Sequence, residues 1–112
     1  MNVGERVKYA EQMVKEYLGE DHKLYLKNTR RMLGQMDYRE KKITLSYKLV
    51  ARSSDEFFDS VLFHEIAHGL SHDSYLRYYR AGMKVDFHQC IEFKRWCAYF
   101  GSHSARAIRF NS

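Results

Sequence analysis

The stretch Ser53-Ser54-Asp55-Glu56-Phe57-Phe58-Asp59-Ser60-Val61-Leu62-Phe63-His64-Glu65-Ile66-Ala67-His68 decides how this chain is read. Ser53 and Glu56 stand three apart ahead of an apolar run, a capping box that predicts a helix from about 54 to 71. Val61, Leu62, Phe63, Ile66 and Ala67 would bury that helix, which makes its polar trio conspicuous. At about 100° per residue, His64 and His68 lie about 40° apart and project from one face, with Glu65 on its flank. Two neutral imidazoles so placed can hold one Zn²⁺, while the carboxylate reaches a water bound to the metal. The metal makes that water acidic, and Glu65 takes its proton as it attacks a carbonyl.

A catalytic zinc takes a third protein ligand and keeps one position open. His88, Glu92, Asp73, His72 and His103 are the candidates. His72 continues the row of His64 and His68. Three ligands at i, i+4 and i+8 span about 12 Å, too long for one tetrahedral ion. His88 can approach from a separate element and ranks first, followed by Glu92.

Outward from the motif, residues 3–18 place Val3, Val7, Ala10, Met13 or Val14, Tyr17 and Leu18 at helical spacing, and Gly19 ends the run. Leu24 and Leu26 alternate within 22–28. Residues 32–38 and 43–47 follow, separated by Arg39-Glu40-Lys41-Lys42. These predict three short strands, the last two forming a hairpin. Asp86 with Gln89 opens a last helix that Gly101 closes, and residues 73–85 form a short Tyr-rich helix or a lid. The order predicts a small α+β domain. A short antiparallel sheet of about three strands would pack against three main helices, with the paired histidines on the central one.

Composition agrees with one soluble core across residues 1–112. Nine tyrosines, seven phenylalanines and one tryptophan exclude a disordered chain. No apolar run approaches the ~18 residues of a membrane span, and the N-terminus lacks the apolar block of a secretory signal. The expectation is a monomeric cytoplasmic protein, with nucleoid association open. Cys90 and Cys97, seven apart in one predicted helix, stand about 10 Å apart along its axis, too far for a disulfide. Two cysteines also cannot build a four-cysteine zinc ribbon.

The net charge of +5 is unevenly spread. Residues 22–52 carry +7 and residues 74–112 carry +5, flanking a block at 53–73 that carries −5. An acidic stretch with histidines suits a cation, and basic blocks suit a polyanion. Lys23, Lys27, Arg30, Arg31, Lys41 and Lys42 form the richest basic cluster. Tyr25 and Tyr38 are interspersed as stacking surfaces for DNA or RNA.

The residues Arg30-Arg31-Met32-Leu33-Gly34, Ile43-Thr44-Leu45-Ser46, His64 to His68, His88, Glu92-Phe93-Lys94-Arg95-Trp96 and Gly101 resemble the SprT-like metalloproteases. The resemblance covers roughly residues 30–101. It implies zinc held by His64, His68 and His88, Glu65 as catalytic base, and protein substrates associated with DNA. In many relatives a cysteine-rich zinc ribbon follows; none is present here, so a minimal zincin-like form is expected. The look of His64 to His72 is also similar to ImmA-like metalloproteases, whose later apolar signature is missing. Two function classes follow: a zinc endopeptidase, and a nucleic-acid-binding module with a structural zinc. A structural site has no need of a carboxylate beside its metal, so Glu65 discriminates them. For transition-state stabilisation the candidates are Tyr75, Tyr78 and Tyr79, with none selected.

Overall fold

The structure, a computed structural model, describes residues 1–84 and 86–102. Helix α1 (Val3–Leu18) starts at a capping box in which Asn2 and Glu5 satisfy each other's backbone N–H groups. Gly19, at φ 115, ends it in a conformation that side-chain-bearing residues avoid. Strands β1 (Lys23–Lys27), β2 (Gly34–Asp37) and β3 (Lys42–Ser46) follow. Helices α2 (Tyr47–Arg52) and α3 (Asp55–Arg80) come next. A 3₁₀ turn (Phe87–Gln89) and α4 (Ile91–Phe100) complete the order.

The sheet runs β1-β3-β2. β2 and β3 form the expected antiparallel hairpin, but β1 pairs with β3 in parallel, so the sheet is mixed and the all-antiparallel expectation is corrected. The reason is burial. Register Leu24↔Ile43 and Leu26↔Leu45 lines up the apolar positions of β1 and β3 on one face. On that face Ile43 and Leu45 join Ala10 and Val14 of α1, Leu49 and Val50 of α2, and Phe58, Val61, Leu62 and Ile66 of α3 in the main core.

The helix count also differs. Residues 47–52, unassigned in the sequence reading apart from Tyr47, form α2 because the Ser46 hydroxyl accepts from Leu49 N–H. Ser53 closes α2 through its backbone N–H to Leu49 O, and Ser54 caps α3 instead by accepting from Phe57 N–H. No glycine or proline interrupts residues 70–81, so α3 continues to Arg80, and the helical alternative for the segment from residue 73 is realised as part of α3 rather than as a separate helix. Arg6 ties these starts together. Its guanidinium donates to Val50 O and Ser53 O at 2.8 Å each and pairs with Asp55 at 2.8 Å.

Candidate metal centre and cleft

α3 carries His64, Glu65 and His68 into the interior, where they are 5%, 6% and 8% exposed. The 3₁₀ turn brings His88 from a separate element. The three imidazole centroids stand 4.9, 5.5 and 4.8 Å apart. One ligand nitrogen from each ring lies within 4.8 Å of the other two. A tetrahedral zinc with Zn–N near 2.0 Å would separate them by about 3.3 Å, so modest ring rotations close the set.

Two further observations show that these residues fit a metal. His68 Nδ1 is buried without a hydrogen-bond partner. Burial, then the neighbouring His64 and His88, lower the His68 pKa to about 3, which keeps its ring in the neutral form that ligates metals. Asp86 supports His88 from behind. Its Oδ1 accepts from His88 N–H at 2.9 Å and lies 3.1 Å from His88 Nδ1, leaving the other ring nitrogen for the triad. Phe93 packs against all three rings, at 5.2 Å from His64, 4.3 Å from His68 and 5.5 Å from His88.

Glu65 stays beside this triad because β2 comes close. A Cβ on Gly34 would stand 3.1 Å from Glu65 Cγ, 3.2 Å from Leu45 Cδ2 and 3.3 Å from Val61 Cγ1. A glycine leaves that space, whereas a methyl there would require these side chains to give by a few tenths of an ångström. Burial pushes the Glu65 carboxyl up to about 8. A cation in the triad would act in the opposite direction and favour the carboxylate. Glu65 and the three histidines share a cleft of about 440 Å³ with Arg31, Met32, Leu33, Gly34, Gln35, Met36, Tyr38 and Val61.

Residues 3–109 match the sequence model described as the SprT-like family. The chain belongs to the SprT-like family. That family is associated with metalloprotease activity. The match takes in α1 as well as residues 30–101 that carry the recognisable motifs. Comparisons with curated proteins and with solved structures find no match. Among the described residues, no helix is long and apolar enough to cross a membrane.

The alternative ligands of this SprT-like chain lie elsewhere. Glu92 accepts from the Tyr78 hydroxyl at 2.9 Å and the Cys90 thiol at 3.1 Å, so it serves α4 and the end of α3. Asp73 is exposed, and His103 lies outside the described residues. His72 stacks on Tyr38 at 3.7 Å, away from the triad, as the i+8 argument requires. Tyr38, a stacking candidate within the basic cluster, is half-buried in the cleft wall of the SprT-like site. Burial, with the nearby Glu65 carboxylate and Tyr75, holds its phenol well above the usual range. The sequence signal that could have found it is position: Tyr38 follows β2 directly, on the face that carries Gly34 and Met36.

The basic cluster is divided. The parallel register puts Lys23, Tyr25 and Lys27 on the sheet face away from the main core, together with Lys42, whose ammonium lies 5.1 Å from the Tyr25 ring centroid. Lys41, at the hairpin turn, pairs with Asp21 at 2.6 Å, and Arg31 lines the cleft. Arg30 is exposed in the β1–β2 connection.

Proposed function

We propose that this SprT-like chain is a zinc-dependent endopeptidase that binds its substrate as an extended segment. The observation that carries the reading is the conjunction of three converging histidines with a buried glutamate in one cleft. A zinc ion held by His64, His68 and His88 would polarise a carbonyl and acidify water. Glu65 takes the proton of the attacking water and returns it to the leaving amine. β2 supports peptide binding. Among the described residues it is an edge strand that pairs only with β3, and its residues Gly34 to Met36 line the cleft, so its outer edge can align a substrate strand.

A second reading is compatible with the first. Lys23, Tyr25, Lys27 and Lys42 gather on one sheet face, opposite the main core, which favours a polyanion such as DNA. Peptide and nucleic acid would then occupy different faces, consistent with protein substrates held on DNA. Anisotropy of a labelled oligonucleotide should show binding that weakens steeply with salt, as phosphate contacts release counterions. No binding at low salt would leave this face as solubilising surface.

Glu65→Gln tests the peptidase reading. It keeps the side chain's size and, because Glu65 is not a ligand, should preserve about one zinc per chain. Peptide hydrolysis, including self-cleavage with and without DNA, should fall at least ~10²-fold. Equal cleavage by both proteins would overturn the proposed base. Metal retention with no cleavage by either would move the structural-metal reading to the front.

A further inference from the structure

When water adds to a peptide carbonyl, the carbonyl oxygen gains negative charge, and a fixed donor aimed at that oxygen lowers the barrier. The tyrosines of α3 do not supply it. Tyr79 is 67% exposed, Tyr78 gives its hydroxyl to Glu92, and Tyr75 lies flat on Phe87 with centroids 4.5 Å apart. None of the three lines the cleft.

Tyr38 does, and it is the only described tyrosine among the lining residues. Its ring packs against two others in the cleft wall. It stacks on His72 at 3.7 Å with planes 11° apart, and runs parallel to Phe87 at 6.0 Å with planes 4° apart. His72 belongs to α3 and Phe87 adjoins His88, so the same two elements that bring the triad together also hold this ring. Among the described residues, the Tyr38 hydroxyl has no hydrogen-bond partner of its own. A side chain whose ring is locked and whose polar tip is uncommitted is suited to hydrogen-bond something that enters the cleft.

We propose that Tyr38 is a catalytic hydrogen-bond donor, its O–H directed to the scissile carbonyl oxygen as that oxygen becomes negative. The phenol keeps its proton throughout. Glu65 alone carries the proton from water to the leaving amine, and no bond to Tyr38 is made or broken. The inference rests on the peptidase reading and adds to it the group that recognises the reaction's developing charge.

Tyr38→Phe tests it, because the variant keeps the stacked ring and removes only the O–H. Metal content and melting temperature should match the wild type. Turnover should fall by ~10²–10³-fold with KM unchanged, the pattern of an interaction made in the transition state alone. Binding provides a readout without turnover. A phosphonamidate peptide, tetrahedral and anionic at the scissile position, should lose affinity by a comparable factor, while the cleaved product peptide should bind both proteins equally. If an active wild type is matched by Tyr38→Phe, or if both ligands weaken together, Tyr38 only packs and the proposal fails while the peptidase reading stands. If the wild type neither cleaves peptides nor binds the phosphonamidate, the peptidase reading fails and takes this role with it.

Discussion

Two hydrophobic clusters meet at α3, and they hold the candidate ligands in different ways. The larger joins α1, α2, β3 and the first half of α3, around Phe58, Leu62 and Ile66. It fixes the helix from which His64 and His68 project. The smaller consists of Ala67, Cys90, Phe93 and Cys97, with Phe87, Tyr78, Trp96 and Phe100 around it. It seats the 3₁₀ turn that carries His88. Two candidate ligands thus come from a segment anchored by most of the molecule, and the third from a short turn held by a few side chains. The lesson is that the triad's closure depends on the smaller cluster, whereas survival of the fold depends on the larger.

The strongest test is a matched pair of deletions. Phe58→Ala should lower global stability by about 3–5 kcal/mol, read by chemical denaturation. Phe93→Ala should act chiefly through local opening of α4 and the 3₁₀ turn. Its signature is faster amide exchange there and weaker zinc binding. If both variants shift the denaturation midpoint equally, the clusters are one cooperative unit and the distinction collapses.

Next in size, Asp86→Asn should weaken zinc binding about 10–100-fold, because the neutral amide supports the His88 ring less well than a carboxylate. The denaturation midpoint should barely move. Unchanged affinity in a competition titration would show that the Asp86 charge does not support the His88 ring.

Gly34→Ala sharpens the role of the larger cluster in holding Glu65. The added methyl should cost about 1–3 kcal/mol through overpacking and depress cleavage by displacing Glu65, while zinc content stays at the wild-type level. Wild-type cleavage would show that the strand can move aside freely.

The smallest effect concerns acid. The Arg6 hydrogen bonds hold the Asp55 pKa below its ordinary value. A carboxyl lowered on folding stabilises the protein fully above its unfolded pKa, about 3.9, and loses that contribution as pH falls through the folded value. Stability should therefore decline below about pH 4, and Asp55→Asn should flatten that part of the profile. An identical acid slope in the variant would assign the loss to other carboxylates.

Much of this division was legible in the sequence. Periodicity gave α1 almost to the residue, the polar trio marked α3, and the length of an i, i+8 row turned attention from His72 to His88. What local pattern could not convey was pairing. The alternation of Leu24 and Leu26 says that β1 has an apolar face, yet nothing within five residues says whether Leu24 meets Ile43 in parallel or antiparallel register. Residues 73–85 offered a short Tyr-rich helix or a lid; the helical alternative holds to Arg80, but as a continuation of α3, because His72 to Arg80 has no breaker and Tyr75 packs on Phe87. Asp86 was noticed only as a helix start. Its second use, orienting His88 two residues later, needed the turn's shape to be seen. That Tyr38 enters the cleft wall depends on the face it takes just beyond β2, which one position decides.

The two outer strands of the sheet also carry a colloidal consequence. A free edge is a template for pairing with any other extended chain, including another copy. On β1, Lys23 and Lys27 bracket the exposed Leu26, so two such edges brought together would crowd like charges along the seam. β2 has no lysine within it, and its edge opens into a cleft of about 440 Å³. One edge thus carries like charges that oppose self-association, while the other borders the cleft that would receive a substrate strand.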